Sequence, residues 1–191
     1  MKKDIILCGV GGQGILSIAT IIGQAALSAG VSLKQAEVHG MSQRGGDVQS
    51  NLRLSTGTIY SDLIPKGSAD LIISMEPMEA LRYLPWLGPE GRVITSSSAL
   101  VNIPDYPDLT ALMQELDSLP RISRLDTEAI ARNAGMPRGA NMVLLGMAAP
   151  YMEIVSQEQL RDAVAQVFAR KGEDVVKANL QAFDLGLANQ K

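Results

Sequence analysis

One cysteine and one histidine are all this 191-residue chain contains of either type. A lone Cys8 excludes an internal disulfide, a zinc site built from several thiolates, and an iron–sulfur cluster, which takes about four cysteines. Within the apolar run Ile5 to Cys8 it reads as a small core residue. His39, beside a glycine-rich loop, reads as a turn or surface residue rather than a catalyst. No uninterrupted apolar run approaches the roughly 18 residues of a membrane span. Lys2-Lys3 resembles the start of a secretion signal, but Asp4 and the early glycines cut the apolar segment short, so a cytoplasmic location is expected. A net charge of −3, with scattered lysines and arginines, offers no electrostatic footprint for nucleic acid. Repeats, low-complexity stretches and linkers are missing too. With 46 % hydrophobic residues, the chain is expected to fold as one domain spanning 1–191.

What is present begins with glycine. Ile5 to Cys8 predicts a buried strand and Ile15 to Ala29 a helix, and between them Gly9, Gly11 and Gly14 match G-x-G-x-x-G. Glycine lets the chain turn sharply and lets backbone N–H groups approach a ligand unobstructed. The helix beginning near Gly14 directs its positive dipole end and unpaired amides into that space, so the turn predicts a phosphate or carboxylate cradle. A tight turn that binds nothing is the plain alternative. A dinucleotide site also needs an acidic residue about 20 positions further on. Glu37, 23 residues past Gly14, is the one nearby candidate.

Val31 to Val38 predicts a second strand, followed by the donor-rich loop His39-Gly-Met-Ser-Gln-Arg-Gly-Gly46. If the two strands are parallel neighbours, this loop meets the glycine turn at the carboxyl edge of the sheet, where open α/β sheets bind ligands. Arg44 is then placed to grip an anion through two parallel bonds; an ordinary surface loop is the alternative. Residues 47–54 and 59–64 alternate around Ser55-Thr-Gly-Thr58 and predict a β-hairpin. Short strands are expected at 69–74, 91–95 and 121–125, with helices at 76–84 (Leu81 and Leu84 inward) and 109–119. Ser96 to Ser98 forms a second donor-rich loop, and three prolines make 99–108 a loop. The last third is helical: 128–133, then 141–152, apolar on most faces and so buried or covered by a partner. A capping box at Ser156–Gln159 opens the next helix, and a final helix follows Gly172. The fold class is α/β, a three-layer Rossmann-like domain with a mixed, mainly parallel sheet including one β-hairpin.

Gly9-Val-Gly-Gly-Gln-Gly14, Glu37-Val-His-Gly-Met-Ser-Gln-Arg-Gly-Gly46, Glu76-Pro-Met-Glu-Ala-Leu-Arg82 and Asn141-Met-Val-Leu-Leu-Gly146 together resemble the gamma domain of 2-oxoacid:ferredoxin oxidoreductases. The likeness is greatest to the small beta subunit of the indolepyruvate type and covers nearly the whole chain. It implies a non-redox subunit of a multi-subunit enzyme of anaerobic metabolism, which oxidatively decarboxylates a 2-oxoacid (an aryl pyruvate such as indolepyruvate, with pyruvate and others open) to an acyl-CoA and reduces ferredoxin. Thiamine diphosphate, Mg and [4Fe-4S] clusters are then expected in a large partner subunit, and this chain should be inactive alone. Its apolar 141–152 segment implies self-association, as a homo-oligomer, when it is isolated. Carried over by position, Gly9, Gly11, Gly12, Gln13 and Gly14 would offer donors to a phosphate of coenzyme A, with Ser42, Gln43, Arg44 and Gly45 beside them. No catalytic residue and no metal ligand is assigned. A free-standing dinucleotide-binding oxidoreductase and a purely structural subunit remain as alternatives.

Overall fold

The computed structural model describes residues 1–39 and 46–189. The N-terminal apolar run forms β1 (Lys2–Val10), buried from Lys3 onward. A strand buried on both faces must lie inside the sheet, and β1 does. The sheet runs β2 (Ser32–His39), β3 (Asp47–Ser55), β1, β4 (Ala69–Ser74), β5 (Leu87–Ser96), β6 (Ile122–Leu125). β3 is antiparallel to both its neighbours, while the β1–β4, β4–β5 and β5–β6 pairs are parallel. The sheet is therefore mixed and mainly parallel, as expected.

Two strand expectations are corrected. β2 does not neighbour β1, because β3 lies between them. The hairpin is β2–β3, not 47–54 with 59–64, and residues 59–64 form no strand. Side chains of β3 explain the second point. The Arg53 guanidinium donates to the carbonyls of Ser61 and Leu63 at 3.1 and 3.0 Å, and Asn51 Oδ1 accepts from the Ile64 amide at 3.2 Å. Backbone groups that would have joined a ladder are satisfied by these side chains instead, so the segment stays irregular. Its alternation is empty of packing: Tyr60 and Leu63 face solvent, and only Ile64 is buried.

Alternation within the sheet feeds two cores. Ile5, Leu7, Leu71, Ile73 and Ile94 face the larger one, with α1 (Ile15–Ser28), α5 (Ala140–Ala148), α6 (Gln157–Phe168) and α7 (Glu173–Ala188). Ile6, Cys8, Ile72 and Val93 face the smaller one, under α2 (Pro77–Arg82) and α3 (Leu109–Asp117). α2 turns Ala80 and Tyr83 inward, leaving Leu81 and Leu84 half-buried. The apolar helix α5 is buried by the chain itself, against α7, α4 (Thr127–Asn133), α1 and the sheet. Its contact with α7 is backbone against backbone. A Cβ on Gly146 would lie 2.0 Å from Phe183 O, and one on Gly186 would lie 1.9 Å from Val143 O. That closeness accounts for every residue of α5 from Met142 to Ala148 being covered, and it removes the ground for self-association through this helix.

Candidate functional site

The turn after β1 is built as the glycines require. Gly12 and Gly14 have φ of 105° and 84°, in the left-handed region that side chains disfavour. Gly14 is the N-cap of α1 and, having no side chain, leaves the first amides of the helix uncapped. The structure also assigns internal work to part of the turn. Gly11 N–H donates to Gly46 O at 2.9 Å, and Gln13 N–H to Val10 O at 3.1 Å. Gln13 Oε1 accepts from the Val10 amide at 2.7 Å while its Nε2 donates to Met75 O at 3.4 Å. Gln13 thus stitches the end of β1 to the end of β4, and its carboxamide is occupied within the chain. Gly9 lies inside β1, where a Cβ would meet Gln13 Oε1 at 2.9 Å. The amides of Gly12, Gly14, Ile15 and Leu16 have no acceptor among the described residues.

Ser42, Gln43, Arg44 and Gly45 lie outside the described residues. What flanks them is informative. Gly46 bonds to Gly11 and Asp47 pairs with Val10, so the connection from β2 to β3 rejoins the sheet beside the glycine turn. Gly46 and the glycine turn thus meet through β3 rather than through adjacent parallel strands.

A basic residue that sequence reasoning missed completes the site. Helix α4 ends in a Schellman motif: Gly135 takes φ 75°, its N–H donates to Arg132 O at 3.0 Å, and Met136 N–H donates to Ala131 O at 2.8 Å. Met136 is drawn into the core, and Pro137-Arg138 is turned toward the glycine turn. The next helix, α5, starts at Gly139 with no side-chain cap. Asn141, in its first turn, donates through Nδ2 to Gly14 O at 3.3 Å and ties the two helix N-termini together. A cleft of about 440 Å³ opens between them, lined by Gly12, Gly14, Met75, Glu128, Arg138 and Asn141 among others. A second cleft of about 560 Å³ shares Arg138 and Asn141 and extends to Phe168 and Lys171. The exposed Arg138 guanidinium makes no hydrogen bond or ion pair among the described residues. The one carboxylate among the described lining of the first cleft, Glu128, sits 3.9 Å from Arg132. Two uncapped helix ends and an unpaired guanidinium favour an anion. The available signal for Arg138 was its place after a helix-ending glycine and before an uncapped helix.

Other sites offer less. A cleft of about 770 Å³ between α6 and α7 has an apolar wall, and its Arg161 and Asp184 pair with each other at 2.9 and 3.0 Å. The Ser96–Ser98 donors are engaged internally: Thr127 Oγ1 donates to Ser96 Oγ at 2.9 Å and Ser98 Oγ to Asp126 Oδ1 at 2.6 Å. Cys8 is fully buried, and burial pushes its thiol pKa up, so it is neither a thiolate ligand nor a nucleophile. No group of three or more His, Cys, Asp or Glu among the described residues can hold a metal, and no helix there is long and apolar enough to cross a membrane. Glu37 is exposed on edge strand β2, two strands or roughly 9–10 Å from β1, away from where a dinucleotide's ribose carboxylate belongs.

Comparison with known proteins bears on the family and the fold. A family model for pyruvate ferredoxin/flavodoxin oxidoreductase matches residues 4–189. The indolepyruvate oxidoreductase subunit IorB of Archaeoglobus fulgidus is 35 % identical over 194 residues, covering 97 % of this chain and 94 % of that one. Among solved structures, the gamma subunit of a keto/oxoacid ferredoxin oxidoreductase from Geobacter sulfurreducens superposes with a TM-score of 0.74 at 23 % identity, covering 100 % of this chain and 99 % of that one. A 2-oxoglutarate:ferredoxin oxidoreductase from Magnetococcus marinus, solved with 2-oxoglutarate, coenzyme A and succinyl-CoA bound, gives 0.77 at 22 % identity; the match covers 98 % of this chain but 30 % of that longer one. At those identities the two structures establish the fold.

Proposed function

This chain belongs to the pyruvate ferredoxin/flavodoxin oxidoreductase family, and from that premise we propose that it holds a phosphate of coenzyme A beside a larger catalytic partner. It is a subunit of a 2-oxoacid:ferredoxin oxidoreductase. The reaction proposed for the whole complex cleaves the bond between the carbonyl and carboxylate carbons of the oxoacid, releasing CO₂. A thioester then forms between the acyl carbon and the coenzyme A sulfur, and the electrons freed pass to ferredoxin. Identity to the indolepyruvate subunit favours an aryl pyruvate as the oxoacid.

Thiamine diphosphate with Mg supplies the electron sink for such a decarboxylation, and [4Fe-4S] clusters carry the electrons. The sequence's one cysteine cannot hold a cluster and is buried with a raised pKa, and no metal-holding group occurs among the described residues. Both are assigned to the partner subunit, so the chain should be inactive alone. What its own residues do is bind and orient. The free amides at Gly12, Gly14 and the start of α1 donate to a phosphate oxygen, and Arg138 adds charge from the opposite wall of the cleft. The space beside Gly12 is open, since a Cβ there would meet nothing within 4 Å, while its φ of 105° is what favours glycine. Arg44 is retained as a second cation for the same anion or for the subunit contact.

The single observation carrying this reading is the unpaired Arg138 guanidinium in a cleft formed by two uncapped helix N-termini. The test is steady-state kinetics of the reconstituted complex. One charge-assisted bond is worth roughly 1.5–3 kcal/mol, so Arg138→Ala should raise the KM for coenzyme A about tenfold or more and leave the oxoacid KM unchanged. A rise confined to the oxoacid KM would move the residue to the substrate carboxylate. No change in either would leave the cleft without a ligand role. The dinucleotide alternative predicts saturable micromolar binding of NADH by the isolated chain, and Glu37's position on β2 speaks against it.

A further inference from the structure

Glu76 is the N-cap of α2 and is fully buried, yet no lysine or arginine pairs with it among the described residues. Its carboxylate is used on the backbone and on one loop. Oε2 accepts from Glu79 N–H at 3.0 Å, while Oε1 accepts from Leu100 N–H at 3.4 Å and from the Tyr106 hydroxyl. The loop between β5 and α3 is thus pinned from below at two points. Its stem is pinned as well, where Ser98 N–H donates to Ser96 Oγ at 3.1 Å and Ser98 Oγ donates to Asp126. A buried carboxylate loses its hydration, and its hydrogen bonds recover that loss only when the donors stay in place. The loop is therefore a strap held in one shape.

The outer side of the strap is apolar. Leu100, Val101 and Ile103 are 39, 63 and 42 % exposed, and Leu109 at the start of α3 is 44 % exposed. Residues 97–109 contain two acidic side chains, Asp105 and Asp108, and no basic one. The strap also adjoins the anion cleft. Met75 lines the cleft and its neighbour Glu76 holds the strap; Glu128 lines the cleft and Asp126, two residues earlier, holds Ser98. A partner seated on the strap would border the ligand. In the Magnetococcus marinus protein the matched part is 30 % of a longer chain, so further polypeptide is joined to this fold there.

Resting on the subunit reading above, we infer that the 97–109 strap is the seat of the larger catalytic chain. That chain presents to it an apolar surface edged by basic side chains, which complement Asp105 and Asp108. Clustered exposed apolar groups on a preordered loop are what such a surface requires.

The experiment uses this chain together with the larger subunit from the same source, reading the dissociation constant and hydrogen exchange at 97–109. The double variant Val101→Asp/Ile103→Asp should weaken association about tenfold or more, and the strap amides should gain protection in the wild-type complex. Leu27→Asp, at an exposed apolar position on α1, should leave association unchanged. Thermal melting of each variant confirms that it is folded. If wild type associates but the double variant binds equally well and the strap exchanges as fast as before, the strap proposal is overturned and the subunit reading stands. If the wild-type chain binds no larger subunit at all, both are overturned.

Discussion

At the amino end of β1 the fully buried Asp4 meets Arg53 at 2.9 and 3.1 Å and Lys2 at 2.7 Å. At the carboxyl end Arg138 faces its cleft with no partner among the described residues. Both ends carry charge, but only one has used it. The paired end also orders its surroundings, since the third guanidinium nitrogen of Arg53 holds the 61–63 carbonyls. Charge consumed within the fold reports on stability, and charge left over in a cleft is available to a ligand. The same distinction separates Gln13, whose carboxamide bonds Val10 N–H and Met75 O, from the neighbouring Gly12 and Gly14 amides.

The contrast breaks most visibly at the paired end. Arg53→Ala leaves Asp4 buried with only Lys2 beside it, and breaking a buried pair by removing one partner costs about 3–5 kcal/mol. Urea denaturation should show a midpoint lowered to that extent, with the coenzyme A KM unaffected in whatever complex still assembles. Equal stability of variant and wild type would mean that Asp4 and Arg53 are not coupled as their distances indicate.

Arg138→Ala should give the reverse pattern. Its stability change should stay within about 0.5 kcal/mol, as for an exposed residue without partners, while coenzyme A binding weakens as proposed above. Added salt should weaken the wild-type interaction more than the variant's, because the exposed charge is screened. A large loss of stability in Arg138→Ala would erase the comparison.

The smallest effect concerns Asp126, the N-cap of α4. The Ser98 hydroxyl, then the Ala129 amide, hold its carboxyl pKa below the usual carboxylate range. A depressed folded pKa contributes stability above the unfolded value of about 3.9, and that contribution disappears as pH falls through the folded value. Asp126→Ala should therefore cost about 1 kcal/mol at pH 7, a cost that shrinks as pH falls through the folded pKa. A pH-independent difference would assign the effect to packing rather than to the carboxylate.

Local chemistry was legible without coordinates. The glycine turn, the α1 helix, the β4 strand and the Ser156–Gln159 capping box all depend on neighbours within a few positions, and each formed where its residues indicate. The 59–64 alternation misled because period-2 patterning says which faces a strand would have, not whether a partner supplies its hydrogen bonds. Arg53 and Asn51 took those bonds first. The apolar 141–152 segment left two outcomes open, burial or a partner, and burial prevailed because Gly146 and Gly186 let α7 approach closely.

By itself, then, the sequence determined the glycine turn after β1, the α/β class and the family, because these follow from short spacings and residue types. Tertiary structure decided which charges remain free. Arg138 lies 124 positions beyond Gly14, and its local context, between a helix-ending glycine and an uncapped helix, does not say what it faces. Only the Schellman turn after α4 and the Asn141–Gly14 bond bring the two together. Whether a side chain is spent or available depends on its neighbours in space, and those come from packing across the whole domain.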